Sequence, residues 1–405
     1  MSLPNVDLFT ALESAEVFVD GDWVESKDQD PEGDVRLIQL ADVGDGVYVD
    51  KSARFLTAAK ARALRCTFLK EGDVLVARMP DPLGRACIFP GDAKPAVTVV
   101  DVCIIRPRND THYPRWLMYT LNTPNCRQQI AGFATGTTRS RISRSNLGKI
   151  KIPVLPLGEQ RRIAEVLDRT EALRAKRRAA LAQLDTLTQS IFLDLFGDAG
   201  SNPKGWPMRP VSDYVAEFQG GKSIEAESGE NTITVNRVLK ISAVTGMKFL
   251  SHESKPVPDS YQPPREHFTR SGDLLFSRAN TTELVGAVAY VEKTPSNLLL
   301  PDKLWRFVWR SPSVVEPLFV WALFQTRAVR SEIARRATGT SGSMKNISQE
   351  KVFGIRTILP PISLQRDFTR RIAALEKLKA TQHAALAETK ALFAILQRRA
   401  FRGEL

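Results

Sequence analysis

Apolar positions recur at helical spacing over two long stretches, residues 159–197 and 364–403. The first carries Ile163, Leu167, Thr170, Leu173, Ala180, Leu184, Leu187, Ile191 and Leu195, and the second Phe368, Ile372, Leu375, Leu378, Ala385, Leu392 and Leu396. Residues at intervals of seven return to one narrow stripe, as a coiled-coil seam requires, and Arg161, Glu165, Asp168, Arg174 and Lys176 fall between them. Each stretch therefore predicts one helix roughly 55 Å long at about 1.5 Å per residue. No small domain covers such a length, so the natural partner of each helix is the other.

The two stretches are copies. Gln160 matches Gln365 at 365 − 160 = 205, and Leu173, Ala180, Leu187 and Phe196 match Leu378, Ala385, Leu392 and Phe401 at the same offset. The repeat extends upstream. Glu71 to Arg78 (EGDVLVAR) lines up with Ser271 to Arg278 (SGDLLFSR), and Ala134 to Thr138 (ATGTT) with Ala337 to Ser341 (ATGTS). A slow drift of offset is what small loop insertions produce, so the chain reads as two copies of a globular part followed by a long helix.

Each globular part reads as mixed α and β. Short apolar runs after Gly-Asp at 73–78 and 273–278 predict strands entered from a turn, and Val97 to Ile105 predicts one buried strand. Pro114 to Leu121 and Glu316 to Thr326 predict core helices. Prolines at 153, 156, 360 and 361 end the sheet before each long helix, and the turn-rich run 197–205 marks the internal boundary.

Charge adds a partner class. Net charge is +12 and the pI about 9.6, with the surplus spread along the chain, which favours a shaped surface for a polyanion over a basic tail. The four cysteines form no C-x-x-C pair and the four histidines are scattered, so neither set predicts a metal site. No apolar run reaches membrane-spanning length, and the first residues lack the pattern of a secretion signal, so a cytoplasmic location is expected.

The connector Leu155-Pro156-Leu157-Gly158-Glu159-Gln160-Arg161 with its helix, the Gly-Asp-Val-Leu-Val-Ala-Arg strand and the Gly-Thr-Thr…Ile-Ser loop, each present twice, resemble the DNA specificity (S) subunit of type I restriction-modification systems over nearly the whole chain. That resemblance implies an α+β protein. Two similar α/β target recognition domains, 1–153 and 198–358, would be joined by long antiparallel spacer helices, 154–197 and 359–405, forming a coiled coil with a pseudo-two-fold axis. Each domain would read one half of a split double-stranded DNA target. The helices would set the spacing and dock modification (methyltransferase) subunits, with restriction (motor-nuclease) subunits joining for cleavage. It also implies that this chain performs no chemistry and binds no cofactor, S-adenosylmethionine, ATP and Mg belonging to the partner subunits.

Candidate contacts come from residue types. Thr137, Thr138, Arg139, Arg141 and Arg144 fall in a loop with no acidic residue from Gly136 to Lys151, where hydroxyls and guanidinium groups can donate to phosphates. Thr340, Ser341 and Lys345 occupy the equivalent loop. The hairpins after Gly-Asp offer Arg78 and Arg85 in one copy and Arg278 and Asn280 in the other. Arginine can read guanine and asparagine adenine, but recurrence of Arg78 and Arg278 favours backbone contact or a scaffold role. Gln160, Arg161, Gln365 and Arg366, at the helix starts, are candidates for fixing the helix or for partner contact.

Enzyme readings fail on motif. Gln262-Pro263-Pro264-Arg265 and Leu359-Pro360-Pro361-Ile362 do not match a methyltransferase [DNS]-P-P-[YFW] tetrapeptide, and Gly221-Lys222-Ser223 lacks the first glycine of a phosphate loop. The alternatives are a coiled-coil adaptor with two protein-binding domains and a self-contained modification enzyme.

Overall fold

The computed structural model describes residues 4–108, 110–136, 139–224, 235–258, 260–341 and 344–404, the side chains of Thr340 and Ser341 excepted. It divides into two compact units, Met1–Arg178 with Ala384–Leu405, and Ala179–His383.

In the first unit an antiparallel four-stranded sheet runs in the order Val17–Asp20, Val102–Arg106, Val74–Ala77, Ala86–Ile88. A three-stranded sheet places Val35–Ile38 between antiparallel Phe55–Leu56 and parallel Ala96–Thr98. The second unit repeats both. Its four strands are Val215–Gly220, Leu304–Trp309, Leu274–Ser277 and Val288–Tyr290, and Arg237–Leu239 sits between antiparallel Ser254–Pro256 and parallel Leu298–Leu299. A shared topology, with the corresponding strand pair parallel in both units, makes the duplication structural as well as sequential.

The Gly-Asp strands form as the sequence predicts. Gly72 and Gly272 turn with φ of +91° and +94°, a region glycine reaches without cost. Asp73 and Asp273 then pair with Arg106 and Arg306, 2.7 and 2.9 Å away. The helices Pro114–Leu121 and Pro317–Gln325 also match expectation. The predicted strand 97–105 does not form as one piece. It breaks after Thr98, because a turn at Val99 to Asp101 sends its two halves into different sheets.

The long helices span Leu157–Phe196 and Ile362–Ala400. Both are shared between the compact units, so the turn at 197–205 is not where those units divide. Burial explains this. In the second unit Phe192 and Phe196 of the first helix enter a core with Phe319 and Phe368, and in the first unit Phe393, Leu396 and Ala400 of the second helix pack with Trp116 and Ile163. Each helix end thus completes the core of the domain it does not follow in sequence.

The buried positions are 160, 163, 164, 167, 170, 181, 192 and 196 in the first helix and 365, 368, 372, 375, 379, 386, 389 and 400 in the second, and the runs 160-163-167-170 and 365-368-372-375-379 alternate steps of three and four. The sevenfold leucines sit one residue before this seam. Leu173, Leu187, Leu378 and Leu392 are 40 to 47% exposed, so their assignment to the seam is corrected. Lys379 takes a seam position, and its ammonium is paired with Glu376 and Asp185.

Candidate nucleic-acid interface

In the first unit Arg78 closes the strand Val74–Ala77. Its guanidinium is buried, 2.7 Å from Asp20, and donates to the Val100 carbonyl, while its own carbonyl accepts from Ile142. In the second unit Arg278 donates to the Asp302 carbonyl and pairs with the Asp302 carboxylate, and its carbonyl accepts from Ile347. The same arginine therefore joins hairpin to loop in both units, the scaffold role that recurrence suggests.

Arg85 is corrected as a DNA-contact candidate. It is 7% exposed, and its three nitrogens donate to the carbonyls of Val43, Met79, Pro82 and Leu40. Burial pulls its pKa down from the usual arginine value. Four of its five N–H groups go to backbone acceptors, and burial shields the rest of the guanidinium from a phosphate.

The loop after the first unit's helices is a small ribbon. Thr135 and Arg141 exchange both backbone hydrogen bonds, at 2.9 and 2.8 Å, and Gly136 turns with φ +101°. A Cβ on Gly136 would lie 2.7 Å from the Arg139 carbonyl, so only glycine fits. Arg141 pairs with Asp101 at 2.9 Å, and Arg144 donates to the Phe18 carbonyl at 3.0 Å. One cation of the acid-free stretch, Arg141, is thus neutralised from elsewhere in the sequence, by Asp101. Arg139 is exposed, with no ion pair or side-chain hydrogen bond among the described residues. Thr137 and Thr138 lie outside the described residues.

In the second unit the equivalent loop forms two strands, Thr338–Ser341 and Met344–Asn346, and the second also pairs with Ala279–Asn280. Asn280 and Lys345, 65 residues apart in sequence, become cross-strand neighbours. Lys345 donates to the Gly339 carbonyl at 2.8 Å, and the Asn280 side-chain Oδ1 accepts from Thr281 N. Thr340 and Ser341 lie in the outer strand. Met344 is 44% exposed, an apolar side chain that residue-type reasoning passed over.

Two anchors were also missed. Arg127 donates to the Leu83 carbonyl and Arg330 to the Glu283 carbonyl, each tying a hairpin to the helix behind it. Burial depresses both pKa values. Their spacing of 203 residues matches the local repeat offset, the signal that could have found them.

Gln160 and Gln365 are 1% and 0% exposed. Gln160 accepts from Tyr113 N and donates to the Leu155 carbonyl, while Gln365 accepts from Glu316 N and donates to the Pro360 carbonyl. They fix each long helix to the start of a core helix, and buried amides cannot meet a partner, which corrects that half of their assignment. Arg161, over the Tyr113 ring, and Arg366, bonded to Glu316, remain exposed. Among the described residues no His, Cys, Asp and Glu cluster could hold a metal ion, and no helix is long and apolar enough to cross a membrane.

Residues 28–183 match the family model described as Type I restriction modification DNA specificity domain. The chain is 28% identical over 298 residues to the type I restriction enzyme EcoKI specificity subunit of Escherichia coli K12, covering 69% of this chain and 63% of that protein. It is 30% identical over 166 residues to the EcoEI specificity subunit of Escherichia coli, covering 40% and 27%. It therefore spans less than two thirds of the length of these relatives. Its fold resembles that of the type I restriction-modification S subunit from M. genitalium, with a TM-score of 0.55 at 14% identity over 98% of this chain and 96% of that one. A chain solved in work on complex assembly and conformational transition of the type I R-M system gives 0.62 at 18% identity, over 100% and 98%.

Proposed function

We propose that the chain is a type I restriction-modification specificity subunit and, from that premise, the non-catalytic reader of a bipartite DNA target. The observation that carries this reading is the duplicated unit whose recurring arginines, Arg78 and Arg278, hold loops of unlike chemistry on a common scaffold. A constant frame with variable loops is what two unlike half-sites demand.

The long helices set the spacing of the halves in this reading and dock modification subunits. Exposed Leu173, Leu187, Leu378 and Leu392, with Arg161 and Arg366, supply repeat-related surfaces for that docking. Restriction subunits would join the same complex. S-adenosylmethionine, ATP and Mg would serve those partners in the cytoplasm, and this chain would hold none of them. The relatives named above are all specificity subunits, so neither the adaptor nor the self-contained enzyme gains support.

The test is mapping of N6-methyladenine in DNA from cells carrying this chain with its modification subunit. A split, asymmetric motif is the expected result. A continuous motif, or none, would overturn the reading.

A further inference from the structure

We propose that Arg139 and Met344 are specificity-determining residues, Arg139 reading a guanine in one half-site and Met344 packing on a thymine 5-methyl group in the other. The proposal rests on the DNA-reading function above and deepens it.

The two residues are structural equivalents. In the first unit a Cβ on Gly136 would strike the Arg139 carbonyl at 2.7 Å, and in the second a Cβ on Gly339 would strike the Met344 carbonyl at 2.3 Å. Both glycines have positive φ, +101° and +151°, and each begins a ribbon closed by matching pairs, Thr135 with Arg141 and Thr338 with Asn346. One backbone device thus presents residue 139 in one unit and residue 344 in the other.

The neighbouring cations are engaged. Arg141 is paired with Asp101, Arg144 with the Phe18 carbonyl, and Lys345 with the Gly339 carbonyl. Among the described side chains, Arg139 brings an exposed guanidinium with no ion pair to the first ribbon, and Met344 an exposed thioether to the second.

The major groove admits a two-stranded ribbon, and both groups have complements there. Guanine offers N7 and O6 to a forked guanidinium, and thymine offers its methyl to an apolar side chain. Conserved geometry with exchanged chemistry is what separates two half-sites without rebuilding the domain.

The test uses the complete chain assembled with its modification subunit, on its mapped target, with two single-atom probes. Replacing guanine by 7-deazaguanine deletes N7, and replacing thymine by uracil deletes the methyl. Wild type should lose roughly tenfold in affinity with 7-deazaguanine at one position of one half-site, and several-fold with uracil at one position of the other. Arg139→Ala should abolish the first sensitivity and keep the second, and Met344→Ala the reverse, with non-specific binding and its salt dependence at most slightly changed. Variants that retain both sensitivities, or a wild type indifferent to both probes, would overturn the assignment. A complex that yields no split motif would fail earlier and differently, by removing the function on which it rests.

Discussion

Phe196 meets Phe319 edge to face, with ring centroids 4.9 Å apart. Phe196 is the last residue of the first long helix, and Phe319 belongs to the core helix of the second unit. At the repeat-related place in the first unit, Phe401 lies 6.4 Å from Trp116. Phe196→Ala should therefore weaken the second unit, by about 3 to 5 kcal/mol for a fully buried ring, and leave the first unit's stability nearly unchanged. Hydrogen exchange resolved by segment checks this. Equal loss of protection in both units would refute it.

Gln365 accepts the Glu316 N–H at 2.9 Å and donates to the Pro360 carbonyl at 2.8 Å. Gln365→Leu keeps the volume and strands both backbone groups, one of them at the start of the helix Pro317–Gln325. The expected cost is about 1 to 3 kcal/mol. Denaturant unfolding should show a lower midpoint with an unchanged slope, and a midpoint equal to wild type would contradict the assigned role.

His112 stacks on Trp116 at 6.0 Å, and burial pushes its pKa below the usual 6.5. The folded state thus favours the neutral imidazole. Its contribution is intact above pH 6.5 and is lost as pH falls from there through the depressed folded value. Thermal stability of the first unit should decline over that window, and His112→Phe should flatten the decline. A pH profile unchanged by the substitution would exclude His112 as its source.

Much of this was legible because helical periodicity, Gly-Asp turns and helix-starting prolines are local signals. Duplication supplied the rest of the topology, as the pairs Asp73 with Arg106 and Asp273 with Arg306 illustrate. What sequence could not supply was pairing at a distance. Asp101 and Asp20 lie far along the chain from Arg141 and Arg78, which they pair with, and a seven-residue interval does not say whether Leu173 or its neighbour faces the partner helix. Met344 escaped because an exposed apolar residue has no signature until its burial is known.

Leu173, Leu187, Leu378 and Leu392 are exposed apolar residues at matched helical positions, outside the buried seam. Substituting Leu173 or Leu378 by Asp should leave helicity within error and weaken assembly with the modification subunit by about tenfold or more, since desolvating a carboxylate opposes association. Circular dichroism and analytical ultracentrifugation measure the two effects separately. Unchanged assembly in both variants would move the docking surface elsewhere.

Arg85 separates framework from reader most sharply. It bonds the Leu40, Val43, Met79 and Pro82 carbonyls, so it braces the hairpin from three directions while remaining buried. Arg85→Ala leaves several carbonyls short of a donor, and should cost about 3 kcal/mol of stability. If its charge were a phosphate contact, the slope of log affinity against log salt would fall by roughly one unit; a buried brace predicts an unchanged slope in the folded variant. Measured at a temperature where the variant is fully folded, a reduced slope would return Arg85 to the interface, and an unchanged slope with a lowered melting temperature would keep it in the frame.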